Sequence, residues 1–234
     1  MLEKALRLKG WASVLSKQDS DESVSEETQK VGELQVTKLP YKGDDLQDIL
    51  STDTLDEHLK IHKRYVDNTR EMVQGTKYAD MELDDAVRIL AKKDRDSRLF
   101  RNAAQAWNHA FYWMSISPRG QDTAPKGSLL SAVDNTFGGM DECREEMIHS
   151  ASSVFGSGWV WLIVADGKLQ LLTTRNEGTP LAKESYKPLL CLDIWEHAYF
   201  LDYRSDRKSY IDSAVKQLLN WGFAEKNFED QTGW

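Results

Sequence analysis

The hydrophobic pattern changes period once along the chain, and that change limits the fold class. Over 39–118 apolar residues recur at helical spacing, in DTLDEHLKIHKRYVDNTREMV (53–73), ELDDAVRILAKK (82–93) and RNAAQAWNHAFYWMSI (101–116). Asp53 or Thr54 is the expected N-cap of the first. The stretch SPRGQDTAPKG (117–127), with two Pro and two Gly, reads as an interdomain loop. Beyond it, SLLSAVDNTFG (128–138) and MDECREEMIHSASSVF (140–155) read as two helices parted by Gly138-Gly139. Then GWVWLIVA (158–165) and KLQLLTT (168–174) are β-branched and aromatic runs joined by Asp166-Gly167, a strong hairpin signal. PLLCLDIW (188–195) is a third strand candidate, and 209–228 is helical again. The expected class is α+β: an all-helical N-terminal half (39–118) and an α+β C-terminal half (127–234) with a small antiparallel sheet.

Residues 1–38 read differently. MLEKALRLKGWASVLSK carries Lys4, Arg7, Lys9 and Lys17 among loosely helical apolar positions, as in an organelle-targeting segment or a helix that docks on a partner. QDSDESVSEETQK is acidic and nearly devoid of apolar residues, the composition of a solvated linker. The folded unit is therefore expected to begin near Leu39. Composition excludes several classes. The formal net charge of −8 argues against a dedicated nucleic-acid binder. No apolar run approaches the ~18 residues of a membrane span. Two cysteines, Cys143 and Cys191, rule out a disulfide framework or a zinc ribbon, and eight Trp predict aromatic clusters in a core or around a small-ligand pocket.

Four of the five histidines have rich surroundings. His58 and His62 are four apart on one expected helix, about 40° from each other around its axis. His109 stands among Trp107, Phe111, Tyr112 and Trp113, and His197 follows Asp193 by four residues in DIWEH. Neutral imidazoles with a carboxylate suit first-row metals such as iron or manganese. Each piece alone is equally compatible with a solvated helix face or a hydrogen-bonded core histidine; the combination is what points to a metal between the two halves.

The strings LPYKGDDLQDILSTDTLDEHLKIHKRYV, NAAQAWNHAFYW, FGSGWVWL, NEGTPL, LLCLDIWEHAYFLDYR and LLNWGFAEKNF, in this order, resemble the iron/manganese superoxide dismutases, and more closely the iron type. The resemblance covers 39–228 and implies an N-terminal helical hairpin domain packed on a C-terminal α/β domain. It implies one metal, iron in preference to manganese, held by His58, His109, Asp193 and His197. It implies that Gln105 lies near the solvent on the metal, that Tyr65 is the gateway tyrosine and His62 the outer histidine, and that Trp113, Trp159 and Trp195 form an aromatic wall. Glu196 matches a glutamate that bridges to a ligand histidine of the other subunit, which implies a homodimer or a pseudo-symmetric heterodimer. The implied reaction converts superoxide to dioxygen and hydrogen peroxide. Lys60, Lys63, Arg64 and Arg204 are nearby basic candidates for steering the anion, or an ordinary charged surface.

Four positions depart from the family pattern. His58 and Tyr65 are seven apart where eight is usual. Either one residue is missing between His62 and Tyr65, the register that keeps T-L-x-x-H intact, or Glu57 stands at the first ligand position. Phe200 replaces the second Tyr of E-H-A-Y-Y, Glu177 stands where the iron type has a small residue, and Arg101 precedes NAAQ where a neutral residue is usual. An intact donor set with altered supports leaves two functions open: a superoxide dismutase, or a dismutase-like structural subunit of a large organellar assembly, such as a mitochondrial ribosome or plastid RNA polymerase, joined through residues 1–38. The basic leading segment points to a mitochondrion or plastid.

Overall fold

A computed structural model describes residues 30–118 and 124–230. The basic segment expected at 1–17, nearly all of the acidic linker and the middle of the 117–127 loop lie outside the described residues. Among those described, eight α-helices and three strands follow one another in the order α1 (Thr52–Val73), α2 (Leu83–Lys93), α3 (Arg98–Ser115), α4 (Gly127–Phe137), α5 (Met140–Ser153), β1 (Gly158–Ala165), β2 (Lys168–Arg175), β3 (Tyr186–Asp193), α6 (Phe200–Tyr203), α7 (Arg207–Gln217) and α8 (Trp221–Glu229). This is the α+β arrangement expected, a helical hairpin followed by a helix-flanked sheet.

The packed region starts earlier than Leu39. Val31 is fully buried, Leu34 nearly so, and the Val31 and Gly32 amides donate to the carbonyls of Met81 and Ala79 at 2.8 and 2.9 Å. Val31 and Leu34, in the short run VGELQV, are too few to carry a period, so only the tertiary contact reveals them. The N-cap of α1 is Ser51, whose hydroxyl accepts from Thr54 N at 3.2 Å; it is neither Asp53 nor Thr54. The Thr54 hydroxyl donates to Asp202 Oδ2 at 2.8 Å, and the Ser51 amide donates to the same oxygen at 2.9 Å, so the start of α1 is pinned to α6. The helical run expected at 209–228 is two helices, because Asn220 ends one stretch and caps the next through Phe223 N.

The sheet has the order β2-β1-β3 and is antiparallel throughout. Ala165 pairs with Lys168 around Asp166 (φ 50°) and Gly167 (φ 77°), both left-handed, which is the backbone a two-residue hairpin needs. β1 lies in the middle, and Trp159 faces Asp193 across the β1–β3 ladder. The register thus sets a buried indole beside the last residue of β3. Helices α1 and α3 pack on each other, and α3 also packs on β3. Cys191 N donates to Ser115 Oγ at 3.1 Å, and Tyr41 OH donates to the Trp113 carbonyl at 3.1 Å. These bonds tie the strand end and the chain before α1 to the same helix, so the four pieces that meet at Asp193 cannot slide independently.

One acid strains this core. Asp84 accepts from Trp107 Nε1 at 2.9 Å, and burial pushes its carboxyl up to about 6, with Arg88 and the indole opposing. A carboxyl raised on folding gives full stability below its unfolded value of about 3.9 and loses it as pH rises through about 6. Asp84→Asn keeps an acceptor for the indole and removes the charge. Thermal unfolding should show it about 1 kcal/mol more stable than the parent at pH 8, with the gap closing at pH 4.

Candidate metal centre

Four side chains from distant parts of the chain converge. His58 comes from α1 and His109 from α3; Asp193 ends β3, and His197 lies in the single 3-10 turn after it. Their nearest donor atoms all lie within 4.8 Å of one another. Asp193 Oδ2 is 3.1 Å from His197 Nε2, 3.2 Å from His58 Nε2 and 3.8 Å from His109 Nε2, and the Nε2 atoms of His109 and His197 are 3.3 Å apart. His58, His109 and Asp193 are 1% exposed or less, and only His197 reaches the half-buried range.

The protonation pattern fits a cation. His109 Nδ1 is 2.8 Å from the Gln105 carbonyl one helical turn back and donates to it, which leaves Nε2 as a bare lone pair facing the other donors. His58 Nε2 is buried and, despite standing 3.2 Å from Asp193 Oδ2, makes no hydrogen bond of acceptable geometry. Lone pairs aimed at a common point with too few protons between them are an unfavourable arrangement for a buried site. A metal ion bonded at about 2 Å requires donor atoms roughly 3–4 Å apart and would satisfy all four at once. Burial lowers His58 to about 4, against the pull of Asp193, and it lowers His109 well below the usual imidazole range, so both rings are neutral and ready to ligate at pH 7. Burial pushes the Asp193 carboxyl up, but the nearby His197 and His58 rings outweigh it and hold it well below the usual carboxylate range. The donor set is three imidazoles and one carboxylate, which suits iron or manganese.

Supporting contacts come from both halves. Asp193 Oδ1 accepts from Trp195 N at 2.8 Å, and Tyr210 OH donates to the Asp193 carbonyl at 2.7 Å. Trp113 stands 4.6 Å from His58, Trp159 5.2 Å from His109 and Trp195 5.4 Å from His197, ring centre to ring centre. Tyr65 stands 5.3 Å from the His109 ring. Both amide atoms of Gln105 are buried without a hydrogen bond of good geometry among the described residues. Glu196 is exposed and takes no part in this convergence.

The shortened His58–Tyr65 spacing is absorbed by an unbroken α-helix. At seven residues Tyr65 lies about 20° from His58 around the axis, and both side chains face the site. His58 enters the donor cluster, whereas Glu57 is exposed and paired with Lys60 at 2.6 Å. His62 is 1% exposed, its Nδ1 accepting from Trp113 Nε1 at 3.0 Å and its Nε2 donating to the Ala106 carbonyl at 3.2 Å. Both ring nitrogens are thus engaged inside this chain. Burial lowers His62 to about 3, so it stays neutral. Arg101 is exposed and bonds to the Asp96 carbonyl, away from the cluster. Sequence reasoning passed over Tyr210 and Asn108, which hold Asp193 and the Gly178 carbonyl. Asn108 stands beside His109 in NAAQAWNHAFYW without a local sign of its role, Tyr210 sits in no quoted motif, and only the fold brings the two to the site.

Residues 33–117 match the alpha-hairpin domain of the iron/manganese superoxide dismutases, and residues 125–227 match their C-terminal domain. The chain belongs to the iron/manganese superoxide dismutase family. It is 40% identical to an iron superoxide dismutase of Nostoc sp. over 192 residues, 81% of this chain and 95% of that protein. It is 41% identical to an iron superoxide dismutase of Coxiella burnetii over 193 residues, 82% of this chain and 96% of that protein. It is 38% identical to a manganese/iron superoxide dismutase of Rickettsia conorii over 192 residues, covering 81% and 90%. The four converging side chains lie within the two matched domains of this dismutase family member.

His109→Ala removes one donor and opens the space beside Trp159. Purified from iron-supplemented growth, this variant should carry less than about a tenth of the parent's metal by elemental analysis, with its helical circular dichroism retained.

Proposed function

We propose that this protein is an iron superoxide dismutase, converting two superoxide anions and two protons to dioxygen and hydrogen peroxide. The observation that carries this reading is the buried set of three imidazoles and one carboxylate, in a chain that matches the family across both domains. His58, His109, Asp193 and His197 would hold the ion, and iron would supply the one-electron redox couple that disproportionation needs. The iron relatives and the placement of Gln105 on α3 favour iron over manganese.

This chain's residues supply the rest. Tyr65 is half-buried, and burial raises its phenol, with Gln105 opposing the rise; its Oη keeps a proton at neutral pH that it can hand toward a forming peroxide. The Gln105 amide, with both polar atoms unengaged, can donate and accept toward solvent at the site and so set where a proton rests. Trp113 and Trp159 are fully buried and exclude bulk water from two sides. His62 braces Trp113 through the indole N–H and fixes the wall's angle to His58.

A dimer is part of the proposal. Glu196 is exposed beside half-buried Trp195 and His197, and Phe155, Phe200 and Leu201 are exposed at 86%, 43% and 43%. A second copy covering apolar side chains of this kind would also bring a carboxylate near the donor histidine. The basic segment at 1–17 supports an organellar destination, mitochondrion or plastid. The buried donors weigh against a purely structural subunit, because a chain without metal chemistry has no reason to bear the cost of a buried carboxylate among imidazoles.

Elemental analysis with a superoxide-quenching assay tests the reading. Near-stoichiometric iron with fast quenching is expected; a chain that binds no metal and quenches no superoxide overturns it. Tyr65→Phe should keep its iron and lose about tenfold or more in turnover.

A further inference from the structure

Glu177 is a half-buried carboxylate with no ion-pair or hydrogen-bond partner among the described residues. The turn that carries it is fixed on both sides. The Asn176 carbonyl accepts from Trp159 Nε1 at 3.0 Å and from Trp195 Nε1 at 3.3 Å. The Gly178 carbonyl accepts from Asn108 Nδ2 at 3.1 Å and from Thr174 Oγ1 at 2.8 Å. Asn176 is left-handed at φ 52°, and a Cβ on Gly178 would come within 2.9 Å of the Arg175 carbonyl oxygen, so the turn accommodates few alternatives. The two indoles that hold it are the same two that stand against His109 and His197. The Glu177 stem is therefore one residue from a carbonyl anchored to the wall of the metal site. Its charge acts on the Tyr65 phenol and reinforces the upward push of burial, while Arg64 acts in the opposite sense. Glu177 is nonetheless outside the group whose donor atoms converge.

The site already contains one buried carboxylate, Asp193, among three imidazoles. A second carboxylate on the turn that the wall's two indoles hold, with no cation paired to it among the described residues, opposes any small anion that comes to rest at the site. Half-burial keeps that repulsion from being fully screened by solvent.

We propose that Glu177 is a positioning charge that sets anion selectivity at the metal site, weakening the equilibrium binding of small anions there. This rests on the dismutase reading above. Standing ligands such as halide or carboxylate anions are held off, and a neutral peroxide product is unaffected. A transient anionic substrate needs only to arrive and react.

The test uses the iron-loaded full chain and sodium azide as the anion, followed by the absorbance change of the ferric centre at low ionic strength. Parent, Glu177→Gln and Glu177→Asp are compared after iron content and circular dichroism are matched. Glu177→Gln should bind azide about three- to tenfold more tightly than the parent, and Glu177→Asp, which keeps the charge, should stay within about twofold of it. Equal affinity in the parent and Glu177→Gln overturns the inference, as does equal tightening in Glu177→Gln and Glu177→Asp. Should Glu177→Gln lose its iron, Glu177→Ala gives the same comparison with the smallest demand on the turn. An iron-loaded, active parent whose azide affinity matches that of Glu177→Gln sinks this inference alone. A parent that holds no iron sinks it together with the proposed function.

Discussion

Everything at the site depends on one buried carboxylate. Asp193 is fully buried at the end of β3, and its Oδ2 is the atom on which three imidazole nitrogens close. A lone carboxylate in such surroundings would cost several kcal/mol and would take up a proton. It stays ionised because His58 and His197 stand 3.2 and 3.1 Å from its Oδ2 and because its second oxygen takes the Trp195 amide. Those partners come from α1 and from the turn after β3, so the charge is tolerable only in the finished fold. The same arrangement that makes the charge tolerable makes the cluster a place for a cation.

The aromatic residues do two jobs there. Trp113, Trp159 and Trp195 stand against three of the histidine rings and keep the local dielectric low. Each indole N–H is also occupied: one bonds to His62, and two converge on the Asn176 carbonyl. A buried indole with an unsatisfied N–H is costly, so these bonds fix ring angles as well as positions. The wall is rigid because its polar edges are satisfied, and the Asn176–Gly178 turn is rigid for the same reason.

The departures from the family pattern fall around this centre without breaking it. One fewer residue before Tyr65 is accommodated by a regular helix, since seven residues nearly complete two turns. Arg101 faces solvent, and Phe200 is half-exposed on α6. Glu177 alone adds charge to the turn that the wall's indoles hold. The donor set, the buried wall and the backbone of that turn are held by many bonds at once; the departing side chains themselves make few, and that is where a sequence can change without unfolding the protein.

Period and turn chemistry made the helices at 53–73, 82–93 and 101–116 and the hairpin at Asp166-Gly167 legible, because each follows from spacing within a short window. The strings around His109 and Asp193 carried the family resemblance and with it the candidate donors. Other features were invisible. Ser51 rather than Asp53 caps α1, because Asp202 of α6 takes the Thr54 hydroxyl. Val31 and Leu34 belong to the core because they meet the segment before α2, which no local pattern announces. The choice between His58 and Glu57 also waited for the fold, since both registers preserve a helix. Sequence alone determined which segments become helix or strand and which residue types are available for metal chemistry, because propensity and period are local. Tertiary structure decided which of those side chains meet, which ring nitrogen stays bare and where an unpaired carboxylate comes to lie, because each of those depends on atoms brought together from positions far apart in the chain.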